Sequence, residues 1–154
     1  RSSAASDVYK RQSKYTFDQG ELIYWPVSGT VTLGYNMDST VYFKTLGMYK
    51  CSPGMVVASD VGTKVCAAVS GVVVDVAENT ETGLTVRVAA GNGYEMTTGM
   101  LSDVNVKIGD TVTAGQLLGT VAEPTAYYKE EGPGIYFAMT KDGIPVNPMD
   151  YLGE

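Results

Sequence analysis

The chain of 154 residues holds few side chains that could perform nucleophilic, acid–base or metal chemistry. It contains no histidine. This excludes Ser-His-Asp hydrolysis, Cys-His proteolysis and any zinc site that depends on an imidazole ligand. The two cysteines, Cys51 and Cys66, are too few for a disulfide framework or a zinc knuckle.

Two isolated side chains still invite a chemical interpretation. Cys51 would be a nucleophile only beside an activating base, and none is evident, so we expect a packed or surface side chain. A disulfide between Cys51 and Cys66 stays open, because sequence does not fix their distance. Lys141 lies in a Lys-Asp-Gly turn, and a lipoyl or biotinyl carrier shows its modified lysine at such a tip. The Asp-Gly step is an ordinary type I′ turn, however, and the flanking residues do not fit a carrier.

The charge pattern disfavours nucleic acid and anionic membrane surfaces as partners. The formal net charge is −6, and no basic cluster follows residue 14. Residues 1–14 are small, polar and basic, and they resemble a translated cloning leader, so we predict that they are disordered. We expect the native N-terminus, with any signal or membrane anchor, to be missing. Residues 15–154 then carry 7 basic and 16 acidic side chains, a net charge of −9.

The elements that must position these side chains are short strands. Turn signals recur about every 8–12 residues, and no segment shows a sustained helical stripe. The clearest turns are Gly91-Asn92-Gly93 and Lys141-Asp142-Gly143, each between alternating sequences. We therefore predict an all-β fold of antiparallel sheets, with one short helix-permissive stretch at 126–131.

An internal similarity favours two related hairpin units in one core. The sequence GTKVCAAVSGVVVDV at 62–76 and the sequence GDTVTAGQLLGTVAE at 109–123 both place Gly-x-x-Val before a small-residue turn and a Val-rich strand. The predicted organisation is a leader at 1–14, a linker at 15–23 and one domain at 24–152.

Four fragments of that domain, taken in order, resemble one family. They are WPVSGTVTLGY, GTKVCAAVSGVVVDV, GNGYEMTTGMLSDVNVKIGDTVTAGQLLGTV and GPGIYFAMTKDGIPVNPMDYL. Together they resemble the LytM/lysostaphin-type zinc metallopeptidase domain, which cleaves peptide cross-links in peptidoglycan. The resemblance implies a barrel-sandwich, or duplicated hybrid-motif, arrangement of antiparallel strands.

The resemblance also locates the family's site, where each functional position is substituted. The metal-binding segment His-x-Gly-Ile-Asp matches SPGMV, with Ser52 at the histidine and Val56 at the aspartate. The segment Tyr-Ala-His-Leu-Ser matches TGMLS, with Met100 at the catalytic histidine. The segment Gly-Pro-His-Leu-His-Phe-Glu matches GPGIYFA, with Gly134 at the second catalytic histidine and Tyr136 at the metal-binding one. We expect these five positions to lie close together in space.

These substitutions remove the donors that zinc requires. A catalytic zinc needs about three protein ligands and an open water position. A serine hydroxyl is a poor ligand, valine has no lone pair, and tyrosine must ionise from a pKa of ~10. We therefore expect zinc to be lost, with no other cofactor, and no water to be activated for peptide hydrolysis.

The resemblance then implies a catalytically inactive LytM-like module of the bacterial cell envelope, outside the cytoplasm. Related degenerate domains regulate cell-wall hydrolases or belong to envelope complexes, including sporulation-type channels. The expected partner is an envelope protein or a peptidoglycan stem peptide, held in the old groove by apolar burial. Candidate groove residues are Tyr35, Tyr49, Cys51, Tyr127 and Tyr128, for which ordinary packing or a solvated loop is the alternative.

Two other functions stay open at this point. A peptidoglycan metalloendopeptidase with non-standard ligands would require at least two of Cys51, Asp60, Glu95 and Asp38 to converge on one pocket. A carrier domain would require Lys141 at an exposed, protruding tip.

Overall fold

The computed structural model describes residues 15–153. The predicted disorder of residues 1–14 lies outside this range. The described chain forms short strands and two brief 3-10 helices. The strands are β1 Val31–Leu33, β2 Asn36–Phe43, β3 Met48–Ser52, β4 Gly54–Ala58, β5 Lys64–Cys66, β6 Gly71–Asn79, β7 Gly83–Gly91, β8 Tyr94–Ser102, β9 Thr111–Val112, β10 Leu117–Val121, β11 Gly134–Lys141 and β12 Ile144–Val146, and the helices are η1 Ala126–Glu131 and η2 Pro148–Asp150.

The strands pair antiparallel, which confirms the predicted fold class. The main sheet follows the order β1-β4-β11-β8-β7-β6-β9, with β10 joined to β5 and β8, and β12 joined to β11. Strands β2 and β3 form a separate two-stranded sheet. Within residues 15–153, no helix has the length and apolar character needed to cross a bilayer.

The two similar sequence units pair with each other. Strand β5 of the first unit pairs with β10 of the second, and β6 of the first pairs with β9 of the second. Each unit therefore completes the other's strand pairing, as expected of repeats that bury their apolar faces together.

Two tight hairpin turns set the register of the strands that carry the site. Asn92 and Gly93 have φ angles of 54° and 82°, and Asp142 and Gly143 have φ angles of 53° and 81°. Positive φ at both central residues is the requirement of a type I′ turn. The Asp142 N–H donates to the Gly93 carbonyl at 2.8 Å, so the two turns lie side by side and align β8 with β11.

The main core lies on the face of the sheet that is lined by alternate residues of β11. Ile135, Phe137 and Met139 are fully buried there, and they pack with Met55 and Val73 from β4 and β6. Residues two apart on a strand share a face, so Tyr136 and Ala138 point to the opposite side. That opposite side holds the candidate site.

Residues 15–23, predicted as a linker, contribute side chains to this core. Phe17 and Ile23 are 3% and 1% exposed. The Phe17 N–H donates to the Ala90 carbonyl at 3.1 Å, and Ile23 forms a parallel bridge with Leu152. The Trp25 indole N–H donates to the Gly153 carbonyl at 2.7 Å. The N-terminal segment and the C-terminal tail are thereby held against each other.

Candidate functional site

Three of the five substituted positions meet on adjacent strands. Val56 on β4 lies directly opposite Tyr136 on β11, and Tyr136 lies opposite Gly99 on β8. Met100 follows Gly99, so the pairing of β4, β11 and β8 places Val56, Tyr136 and Met100 together. Strand pairing alone brings into one site positions that lie 36 or more residues apart in the chain.

These residues belong to a hydrophobic cluster separate from the main core, which we call the cleft cluster. Val56 and Met100 are 0% and 1% exposed. The cluster has an aromatic and aliphatic composition with no charged member. Its buried members are Leu33, Phe43, Val56, Met100 and Tyr128, and its half-buried members are Val41, Leu46, Tyr127 and Tyr136.

Ser52 and Gly134 flank the cluster. The buried Ser52 hydroxyl donates to the Gly54 carbonyl at 2.7 Å. A Cβ at Gly54 would lie 2.5 Å from the Tyr136 hydroxyl oxygen, so the phenol occupies the space that a side chain there would need. A Cβ at Gly134 would lie 2.3 Å from the Val57 carbonyl oxygen. The backbone at 134 therefore has no room for a histidine side chain.

Met100 adopts a left-handed backbone conformation, with φ of 61°. Its N–H donates to the Thr82 carbonyl at 2.5 Å, and its carbonyl accepts from the Ala122 N–H at 3.0 Å. These two bonds hold an unbranched apolar side chain in a conformation that non-glycine residues seldom adopt. No feature of the sequence indicates this conformation.

Burial keeps the phenols of the cluster neutral. Desolvation raises the pKa of Tyr136 to about 12, with smaller contributions from the charges of Glu81 and Tyr127. Desolvation also raises the pKa of Tyr128 far above its ordinary value, helped by Tyr136 and Tyr127. At neutral pH neither oxygen is an anionic donor.

The residues at this site do not fit a zinc ion. Val56 and Met100 offer no hard donor, the Ser52 hydroxyl is already bonded to a carbonyl, and Tyr136 is a neutral phenol. Zinc ligands in proteins are thiolates, imidazoles and carboxylates. Among residues 15–153, no three His, Cys, Asp or Glu side chains lie close enough to hold a metal ion.

Two of the non-standard ligands considered from the sequence have other partners. Glu95 lies 3.5 Å from Arg87 across β7 and β8. The Cys51 thiol contacts the Met37 carbonyl at 3.8 Å. Cys51 and Cys66 are both free thiols, so the disulfide left open by the sequence is not formed. The described residues give the metallopeptidase alternative no ligand set.

The five candidate groove residues separate into two groups. Tyr127 and Tyr128, on η1, join the cleft cluster, with ring centroids 4.9 Å apart. Tyr35 donates to the Pro145 carbonyl at 3.2 Å, and Tyr49 and Cys51 lie on the β2–β3 hairpin. Tyr49 is 68% exposed.

Lys50 joins η1 to the hairpin, and the sequence analysis did not single it out. Its ammonium group lies 5.2 Å from the ring centroids of both Phe43 and Tyr127, and it donates to the Tyr127 hydroxyl. The sequence did contain a signal for this position. Tyr42 precedes Phe43 and Tyr49 precedes Lys50, and because successive residues of a strand point to opposite faces, exposed tyrosines place Phe43 and Lys50 on the inner face.

Lys141 is not the free lysine of a carrier. Its ammonium group lies 4.9 Å from the Tyr94 ring centroid, and it donates to the Asn92 carbonyl. It also pairs with Asp142 at 3.5 Å. The lysine is held between the two type I′ turns, so the carrier alternative has no support.

Comparison with known proteins gives a consistent set of similarities. The sequence model of one family, Peptidase family M23, matches residues 50–148. Stage II sporulation protein Q of Bacillus subtilis is 30% identical over 108 residues, which is 69% of this chain and 38% of that protein. The chain thus spans little more than a third of this relative.

Solved structures show the same similarity in three dimensions. A chain of the SpoIIQ–SpoIIIAH pore-forming complex matches with a TM-score of 0.73 and 26% identity, over 86% of this chain and 91% of that one. Helicobacter pylori Csd3 matches in fold with a TM-score of 0.72 and 22% identity, over 88% of this chain and 36% of that one.

Proposed function

The chain belongs to peptidase family M23, and we propose that it is a catalytically inactive member that serves as a binding or scaffolding module of the bacterial cell envelope. The observation that carries the proposal is the composition of the cleft cluster. Where the family resemblance places metal ligands and catalytic histidines, this chain has Ser52, Val56, Met100, Gly134 and Tyr136.

The cluster lacks the groups that peptide hydrolysis of this kind needs. Without a metal, no bound water is converted into a nucleophile near neutral pH. Without imidazole, no group of the cluster with a pKa of ~7 can transfer a proton to the leaving amine. The neutral phenol of Tyr136, with its pKa raised to about 12, cannot act as a base at that pH.

The cleft cluster also changes what can bind where the family resemblance places the active site. Val56 and Met100 are closed off from solvent, and the Tyr136 phenol covers Gly54. A partner therefore meets the rim formed by η1 and the β2–β3 hairpin, and affinity comes from apolar and aromatic burial.

The similarity to a SpoIIQ chain supports an envelope protein as the partner. That chain was solved in complex with SpoIIIAH. We propose that this chain acts outside the cytoplasm and binds a protein of the SpoIIIAH type. A peptidoglycan stem peptide is the second partner that the family resemblance implies.

One paired experiment separates these outcomes. The full chain is incubated with purified peptidoglycan sacculi and zinc, and both released peptide fragments and co-sedimented protein are measured. In parallel, calorimetry measures its binding to the SpoIIIAH-type protein of its source organism. We expect no released fragments and saturable binding to the protein. Zinc-dependent release that a chelator abolishes would overturn the inactive assignment, and co-sedimentation without protein binding would make the stem peptide the partner.

A further inference from the structure

Residues 15–23, which we call the N-terminal strap, are held against the turn between β7 and β8. The Phe17 ring packs edge-on against the Tyr94 ring, with centroids 4.9 Å apart. A Cβ at Gly91 would overlap the Tyr15 carbonyl oxygen, so the backbone of the strap lies directly on the end of β7. The strap is therefore part of the folded domain, and its place depends on this turn.

The side-chain amide of Asn92 attaches the strap to the turn. Its Nδ2 donates to the Phe17 carbonyl at 3.0 Å and to Asp18 Oδ1 at 3.2 Å. Both partners are acceptors, so only a side chain that carries N–H donors fits between them. Three other asparagines instead accept hydrogen bonds from residues within three positions of themselves, namely Asn36, Asn79 and Asn147. Asn92 differs from them because it joins segments 74 residues apart.

Asn92 is followed by Gly93, and Asn-Gly is the sequence in which asparagine deamidates most readily. The backbone nitrogen of the following residue attacks the side-chain amide carbon, and ammonia leaves. Water then opens the resulting succinimide to aspartate or isoaspartate. A side chain on the following residue hinders the attack, and glycine has none. The other asparagines precede methionine, threonine, valine or proline.

The fold requires glycine at position 93. Its φ angle is 82°, and a Cβ there would overlap Asp142 Oδ1. Asn92 and Gly93 are both exposed. Strand β7 ends at Gly91 and β8 begins at Tyr94, so the Gly93 nitrogen lies outside the strand ladder. The turn therefore keeps a reactive sequence in a place that water reaches.

We propose that Asn92 is a deamidation site whose conversion releases the N-terminal strap. While the strap is in place, Phe17 and Asp18 hold the amide of Asn92. The amide must leave these acceptors before its carbon can meet the Gly93 nitrogen, so conversion takes place when the strap opens locally. The reaction consumes water and releases ammonia, and it is not reversed. The proposal does not depend on the envelope function.

The product of the reaction removes the attachment. An aspartate at position 92 has no N–H to donate, and its carboxylate faces the Phe17 carbonyl and the Asp18 carboxylate. The hydrogen bonds are lost, and two like charges at this distance repel each other. Lys141 also lies at this turn, but its ammonium group already donates to the Asn92 backbone carbonyl and pairs with Asp142. Isoaspartate would in addition lengthen the backbone of a two-residue turn.

Peptide mapping by mass spectrometry measures the conversion. The full chain is incubated in mildly alkaline buffer at physiological temperature, and aspartate and isoaspartate are followed at all five asparagines. We expect Asn92 to convert while the other four stay intact. Asp18 is exposed, and we expect Asp18→Ala to raise the rate at Asn92 about threefold, because fewer hydrogen bonds then hold the amide. Glu78→Ala removes the same charge at an exposed position on β6, and it should leave the rate unchanged.

Hydrogen exchange tests the release of the strap. Asn92→Asp reproduces one product, and we expect the amides of residues 15–23 to exchange roughly tenfold faster than in the wild type, with β11 unchanged. Asn92→Gly tolerates positive φ and adds no charge, so its effect should be smaller. The double variant Asn92→Asp/Asp18→Asn again places an amide opposite a carboxylate, and it should recover most of the protection.

Circular dichroism checks that every variant is folded. An Asn92 that stays as intact as the other asparagines, or a rate that Asp18→Ala leaves unchanged, would overturn the proposal. Wild-type exchange of the strap in Asn92→Asp would also overturn it, because conversion would then not release the strap. A double variant as loose as Asn92→Asp would show that Asp18 has no part in the attachment, which contradicts the proposal as well.

Discussion

The phenol of Tyr136 takes the space that a larger residue at position 54 would require. It therefore changes the chemistry and the shape of the site together. The family resemblance places a metal-binding imidazole at position 136. In this chain the uncharged ring of Tyr136 packs there with Met100, Val56 and Tyr128. Removing a ligand would by itself leave a cavity, which costs stability in proportion to its volume. Filling the space with an aromatic ring avoids that cost.

The raised pKa of Tyr136 predicts how stability responds to alkaline pH. The group has a pKa of about 12 in the folded protein and 10 as its ordinary value. The folded state therefore holds its proton more tightly, and stability is full below pH 10 and falls as pH rises toward 12. We expect the wild type to lose on the order of 2 kcal/mol of unfolding free energy across that window through this group. The variant Tyr136→Phe, which has no phenol to ionise, should not show this loss.

Urea unfolding at a series of pH values from neutral to strongly alkaline measures this effect. Tyr49→Phe is the matched control, because Tyr49 is largely exposed, and it is expected to keep the wild-type profile. If Tyr136→Phe loses as much stability as the wild type over the same window, the phenol does not have the raised pKa.

At the scale of single residues, the sequence predicts which residues form the site better than it predicts their backbone conformations. The five substituted positions follow from the family resemblance, and strand pairing brings Val56, Met100 and Tyr136 into one cluster. The left-handed backbone of Met100 and the close approach of Gly134 to Val57 could not be predicted. Both depend on neighbouring strands that no local pattern specifies.

Helix η1 and the β2–β3 hairpin act as one element because their contacts join them at two places. Lys50 lies between Phe43 and Tyr127. At the hairpin turn, the Thr45 hydroxyl donates to Glu131 Oε1 at 2.7 Å and accepts from the Glu130 N–H at 2.9 Å. The Thr45 hydroxyl thus forms hydrogen bonds with both a carboxylate and a backbone N–H of η1.

Removing that hydroxyl should loosen η1 locally. We expect Thr45→Ala to lower the free energy of unfolding by about 1–2 kcal/mol, because two hydrogen bonds are lost, one to a charged acceptor. Hydrogen exchange at residues 126–131 should accelerate more than exchange in β11. Thr45→Ser keeps the hydroxyl and should retain most of the wild-type protection. Equal acceleration in both variants would show that the methyl group, and not the hydroxyl, holds η1.

At the scale of elements, local sequence patterns predict the turns and the short helix, but they do not predict packing between segments that are distant in the sequence. The hairpins at Asn92-Gly93 and Asp142-Gly143 are predicted correctly, because a type I′ turn is determined by its own two residues. The short helix at Ala126–Glu131 is also confirmed. The burial of Phe17 in a segment predicted as a linker had no such signal, because it depends on Tyr94 and Tyr151, which are far away in the sequence.

The whole molecule has the fold of peptidase family M23, and a hydrophobic cluster lies where the family resemblance places the metal centre. Residues 15–153 carry 7 basic and 15 acidic side chains, a net charge of −8. None of that charge belongs to the cleft cluster. The site therefore packs as a core does.

A scaffold held together in this way should be indifferent to zinc. A ligand that binds only the folded state at one hundred times its dissociation constant stabilises by about 2.7 kcal/mol. For a domain of this size, that raises Tm by roughly 5–10 °C. We expect the Tm of this chain to move by less than about 1 °C when 100 μM zinc or an excess of chelator is added. Differential scanning calorimetry makes the measurement. A Tm that rises by several degrees with zinc and falls again with chelator would mean that the cleft cluster opens to a metal, which its donor set does not allow.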